Sequence, residues 1–344
     1  MAAWIRPPGS LATGVGALPH RDPVAACDTV LRIFPDFPFV PTLPNRGLEE
    51  QIVIMDSEPL PGRVIAEGKL RVDRTRDLSE AMEQIYRDYL EKDATRYGPT
   101  PRYASGFHEM RVRRLPAARF LKCQVTGPVT FGMQVVDGDR KPIAYDPQYA
   151  DILPKMIALR ARFCEQEMRR CTGVQETLVV LNEPYLATLG SSVVPVDPGW
   201  VRSGWEEMAA LVEGGLGVHC CANTDWGFVL SLDPSVLSLD AYGTGREVLL
   251  FMDQIAAYME RGGVIAWGIV PAEAGTFAGD TPESLYGRYR AIREAVTARM
   301  DPEVFDARSL VTPTCGIQGA DEATAVRIME TAAAISARIR AEGR

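Results

Sequence analysis

A chain of 344 residues with 37 basic and 45 acidic side chains, 46% hydrophobic and 24% charged, has the make-up of a large globular enzyme. Its net charge of −8 argues against a nucleic-acid or anionic-membrane partner, either of which wants a basic face. No apolar run reaches the roughly 18 residues of a membrane span, and MAAWIRPPGSLATG lacks the apolar stretch of a signal peptide, so a cytoplasmic location is expected.

In chain order, short apolar runs alternate with helical patterns. The candidate strands are VGALP (15–19), FPFVPTL (37–43), RFLKCQVTG (119–127), ETLVVLNEP (176–184), LGVHCCANT (216–224), VLSLDAYG (236–243), GVIAWGIVP (263–271) and SLVTPTCG (309–316). Most are continuously apolar, as parallel strands buried on both faces are. Between them, DPVAACDTVLRIF opens with Asp22 as cap and Pro23 at the first helical position. The segments 78–97, 146–171, 280–300 and 321–343 carry apolar residues at helical spacing, and 197–214 and 246–261 also read as helices. Eight strands alternating with helices predict an α/β fold, a (β/α)8 barrel forming a single domain over 1–344. The stretches 44–76 and 98–118 exceed a minimal barrel and read as insertions. An open doubly wound sheet is the alternative, but GVGALP is too short for a phosphate-binding glycine motif.

In such a barrel the chemistry collects at the carboxyl ends of strands, and the polar residues gather there. The fourth strand ends in Asn182-Glu183-Pro184, the fifth in His219-Cys220-Cys221, the sixth in Asp240 and the eighth in Cys315-Gly316. The seven cysteines are an odd number in a chain with no export signal, so reduced thiols are expected. Free cysteine usually packs as a small hydrophobe, and Cys27, Cys123, Cys164 and Cys171 are read that way. The strand-end set is different: histidine, thiol and carboxylate meet on one rim, which fits either a soft-metal site or core packing. Strand alternation turns His219 and Cys221 to one side and Cys220 to the other. His20, Glu183 and Glu273 are the remaining candidates for a catalytic role.

These motifs together resemble the cobalamin-independent methionine synthase superfamily of zinc methyltransferases, which shares its barrel with uroporphyrinogen decarboxylase. The likeness runs from GVGALPH through TGPVT (126–130) and NEPYL (182–186) to TPTCG (312–316), and matches a stand-alone catalytic barrel. It implies Zn2+ held by His219, Cys221, Asp240 and Cys315, and a small thiol such as homocysteine as methyl acceptor. It further implies that Gly16 and Ala17 hold a substrate carboxylate and that Glu58 holds an amino group. Asn182 stands where the family has aspartate and offers a carbonyl dipole instead of a full charge, which weakens the case for homocysteine itself.

The same comparison bears on the methyl donor. TGPVT continues as FGMQV without the family's aromatic platform, and WGIVPAEAG lacks its strand-seven histidine, with Glu273 nearest. Leaving from the N5 of a folate needs an acid, whereas leaving from cobalt does not, so methylcobalamin or a methylated corrinoid protein is favoured over methyl-folate. The competing functions are a metal-free decarboxylase on the same barrel, a non-catalytic zinc or corrinoid partner subunit, and a zinc hydrolase.

Overall fold

The computed structural model describes residues 6–189, 191 and 195–342. In chain order, α1 (Pro23–Ile33) is followed by three 3-10 turns between Pro44 and Asp56 and a hairpin of β1 (Arg63–Ala66) and β2 (Lys69–Val72). Then come α2 (Ser79–Glu91), α3 (Ser105–Arg111), β3 (Phe120–Thr126), α4 (Pro128–Gln134), α5 (Pro147–Thr172), β4 (Glu176–Asn182), α6 (Pro198–Ala209) and β5 (Gly215–Cys220). The chain continues with α7 (Trp226–Ser231), β6 (Val236–Leu239), α8 (Gly245–Val248), α9 (Met252–Glu260), β7 (Val264–Val270), α10 (Ala274–Ala278), α11 (Pro282–Thr297), α12 (Pro302–Ala307), β8 (Ser309–Pro313) and α13 (Glu322–Glu342).

Strands β3 to β8 form one six-stranded parallel sheet in sequence order, a half-barrel, and all but β4 are buried along their whole length. The first two predicted strands are present only as single parallel bridges, Ala17 to Thr42 and Phe39 to Lys122, and Ala12, just ahead of the first, bridges to Val311. Backbone bonds nevertheless run from β8 (Thr13 N to Val311 O, 3.1 Å) through Thr42 N to Gly16 O (3.1 Å) to β3 (Val40 N to Lys122 O, 2.8 Å). Pro19, Pro38 and Pro41 bring no N–H to a ladder, which explains why these runs pair so briefly. The insertions are built rather than loose, since 44–76 carries the β1–β2 hairpin and 98–118 carries α3.

Helix starts follow local chemistry. Asp22 accepts from Val24 N and Asp146 from Gln148 N and Tyr149 N, each ahead of a proline at the first helical position. Asp321 accepts from Thr324 N ahead of α13.

Two apolar layers sandwich the sheet. The larger lies between strands and helices and takes in Cys27, Cys123, Cys164 and Cys220. The smaller lines the opposite face with Phe37, Phe120, Leu178, Val180, Val236, Val264 and Leu310. Register puts Val180, Gly217, Val236 and Val264 in one row; the next row toward the strand ends is Asn182, His219, Ser238 and Ala266. An apolar floor thus gives way to polar side chains within a single step along the strands.

Candidate metal centre

His219 lies one residue before the end of β5, and its ring is buried beside the neighbouring strand. Its Nδ1 is 2.9 Å from Ser238 Oγ, the residue directly across from it in β6. With that nitrogen holding the ring proton, Nε2 presents a lone pair, and Nε2 is buried without any partner. Cys221 follows the strand end, and Cys315 lies two residues beyond β8. A ring nitrogen of His219 and the sulfurs of Cys221 and Cys315 all lie within 4.8 Å of one another. The close approach of Cys315, and then of His219, pulls the Cys221 thiol down, while the same contact with Cys221 pushes Cys315 up. Such a donor set sheds a proton readily at one sulfur and has an orphaned nitrogen beside it. Its two sulfurs and one imidazole suit Zn2+.

Asp240 stands just after β6. Its carboxyl is raised, first by burial, and it feels Cys221 and His219 electrostatically. Its Oδ1 accepts from Gly243 N at 2.7 Å, and it is not one of the three clustered donors. Cys220, on the other face of β5, is fully buried and its thiol is pushed up to about 12 by desolvation.

The three donors open into a cavity of about 140 Å³ that Ala17, Asn182, Glu50, Met55 and Gln318 also line. Asn182 Oδ1 is buried there without a partner, in register with His219. Gly16 is flanked by the lining residues Val15 and Ala17, and its φ of +152° with a Cβ position 1.8 Å from the Gln124 amide leaves no room for a side chain. Glu58 is elsewhere: it accepts from Thr100 N at 2.9 Å and Thr100 Oγ1 at 2.8 Å, and joins the two insertions. The glutamate on the cavity wall is Glu50, bonded to Ser105 Oγ (2.5 Å), Leu43 N (3.2 Å) and Arg46 Nε (2.9 Å). Nothing in its spacing separates Glu50 from Glu49 or Glu58, so no sequence signal singles it out.

The other candidates take supporting positions. Glu183 accepts from Val129 N (2.9 Å), Thr130 N (2.7 Å) and Thr130 Oγ1 (2.6 Å), clamping the start of α4 to the end of β4; burial raises its carboxyl to about 7 against those bonds. Glu273 caps α10 through Gly275 N and Thr276 N, which lowers its carboxyl and keeps it ionised. His20 is buried with Nδ1 unpartnered, outside the cavity lining. Trp226 and Trp267 are buried in the core, donating to Asn223 Oδ1 and Ser309 Oγ.

No family sequence profile matches the chain, and no curated protein sequence does. Solved structures do. A B12-independent methionine synthase from Shewanella sp. W3-18-1, in complex with selenomethionine, aligns with a TM-score of 0.57 at 14% identity, covering 96% of this chain and 98% of that one. A Listeria monocytogenes protein assigned as a vitamin-B12-independent methionine synthase aligns with a TM-score of 0.56 at 11% identity, covering 96% and 99%. At such identities the likeness is one of fold: this chain is built like the B12-independent methionine synthases along almost its whole length.

Proposed function

We propose that this protein is a zinc-dependent methyltransferase that alkylates a small thiol, on a barrel of eight positions of which the first two are held by bridges. The observation that supports it best is the convergence of His219, Cys221 and Cys315 around an unpartnered Nε2, at the carboxyl ends of parallel strands. A Zn2+ held there would acidify a thiol bound to it and keep the sulfur nucleophilic at neutral pH. Three protein donors leave a fourth place, for Asp240 or for the incoming thiol, as a catalytic rather than a structural site does.

The chain's own residues prepare the rest. Ser238 holds the His219 tautomer. Asn182 offers its free carbonyl oxygen to a substrate donor, and the backbone around Gly16 and Ala17 forms the facing wall. Glu183 keeps the 126–130 turn seated on β4. Glu273, committed as an ionised cap, is a poor proton donor, which supports methylcobalamin or a methylated corrinoid protein over methyl-folate as donor.

The test is methyl transfer by purified protein to homocysteine and coenzyme M from methylcobalamin and from methyltetrahydrofolate. Transfer that disappears on chelation and returns with Zn2+ is expected. His219→Ala and Cys315→Ser are expected to lose stoichiometric zinc and to slow transfer by on the order of 10³-fold. Full activity in demetallated protein, or zinc retained by both variants, would overturn the reading. Turnover with the folate alone would remove the corrinoid half of it.

A further inference from the structure

The 44–76 insertion borders two cavities that meet at one residue. Ile52 lines the metal cavity and also a cleft of about 540 Å³ on the face of the β1–β2 hairpin. Beside it, Val53 holds a φ of +72° with ψ at −51°, a positive-φ backbone that a β-branched residue adopts only when its surroundings enforce it. Its N–H donates to the buried Thr126 Oγ1 at 3.1 Å, which pins the junction to the end of β3.

The cleft is lined by Lys69, Arg71 and Arg140 against the single acid Glu67. Arginines elsewhere are commonly matched, as in Arg102 with Glu49, Arg293 with Asp306 and Arg338 with Glu283. The three cleft cations have no ion pair or side-chain hydrogen bond among the described residues. Arg71 goes further, because its Nε is buried and unpartnered. A buried guanidinium N–H without an acceptor is unfavourable, and an acceptor that entered the cleft and reached it would relieve that cost. On a chain of net charge −8, this is a local inversion of sign in a cleft that shares Ile52 with the metal cavity. The rest of the wall is largely aliphatic, with Leu70, Val135 and Val136 beside the amide of Gln134, and it has no aromatic ring to stack on a flat heterocycle.

We propose that this cleft is a subsite for an oxyanion, a carboxylate or phosphate, carried by the methyl donor at a distance from its methyl group. Arg71 and Arg140 grip the oxyanion and Lys69 adds charge. The subsite rests on the methyl-transfer reading for its purpose but not for its existence. Two donor classes carry suitable groups: a corrinoid through the phosphodiester of its nucleotide arm, and a folate through its glutamate carboxylates.

Titration calorimetry at low ionic strength, with inorganic tripolyphosphate in one arm and a triglutamate peptide in the other, tests the subsite without any turnover. At least one probe is expected to bind the full chain in the sub-millimolar range, with affinity falling as salt rises. Arg71→Gln with Arg140→Gln is expected to weaken it by about tenfold or more, while the paired lysine variant, which keeps the charge, loses far less. Arg71 lies on the 44–76 insertion and Arg140 is exposed in the connection between α4 and α5, and an unchanged circular dichroism spectrum verifies folding. Preference for one probe names the oxyanion. Where tripolyphosphate is the preferred probe, the glutamine pair is expected to raise KM for methylcobalamin with less effect on kcat, and to leave KM for methylcobinamide, which lacks the phosphodiester, where it was. Equal affinity of parent and glutamine variant for both probes, or no binding of either, overturns the subsite. Binding that the variant loses in a protein without methyl-transfer activity upholds the subsite and defeats the functional reading instead.

Discussion

His219 shows how much of the site is decided by a neighbour's hydroxyl. Ser238 engages Nδ1, so the lone pair is presented at Nε2 beside Cys221 and Cys315. Removing such a partner from a metal-binding histidine typically weakens binding 10- to 100-fold without touching a ligand. Ser238→Ala is therefore expected to reduce zinc affinity by about that factor, as read by competition with a chromophoric chelator, and to leave the fold intact. Unchanged affinity would mean that Ser238 does not orient the ring. Strand alternation alone put His219 and Cys221 on one side and Cys220 on the other, and the three stand so. Glu50 was beyond reach, because its place on the cavity wall follows from bonds to Ser105 and Leu43 across turns that carry no periodic pattern.

At the scale of elements, β3 carries a buried lysine. Lys122 Nζ donates to Gly14 O and Val15 O, each at 2.6 Å, and burial lowers its amine to about 7. It ties the bridged first segment, which supplies Val15 and Ala17 to the cavity, to the continuous sheet. In the unfolded chain the amine titrates near its ordinary value of 10.5, so between pH 7 and 10.5 the unfolded state binds more protons than the folded one. Stability is then expected to rise with pH in that window, by at most about 1.4 kcal/mol per pH unit. Urea denaturation of parent and Lys122→Met between pH 7 and 9.5 checks this: the variant is expected to lose the slope, and the same slope in both would contradict it. The six regular strands were legible from their β-branched apolar runs. The first two were recognised by position, yet their prolines and glycines reduced them to bridges, a matter of missing N–H donors that apolar content does not report.

For the whole molecule, the parallel half-barrel gathers chemistry from remote parts of the chain at one set of strand ends, over an apolar floor. Cys221 and Cys315 are far apart in sequence and meet because β5 and β8 end on the same side of the sheet. That convergence was foreseeable from strand order. The hairpin cleft was not, since an insertion has no repeat or period to show which face it turns to its neighbours. The fold is like that of B12-independent methionine synthases along almost the whole chain.

The direct test of the central claim is zinc K-edge X-ray absorption on the metal-loaded protein with metal content measured on the same sample. One zinc per chain is expected, with two sulfur neighbours at about 2.3 Å and nitrogen or oxygen neighbours at about 2.0–2.1 Å. A protein that retains no zinc, or one whose zinc has only nitrogen and oxygen neighbours, would contradict it.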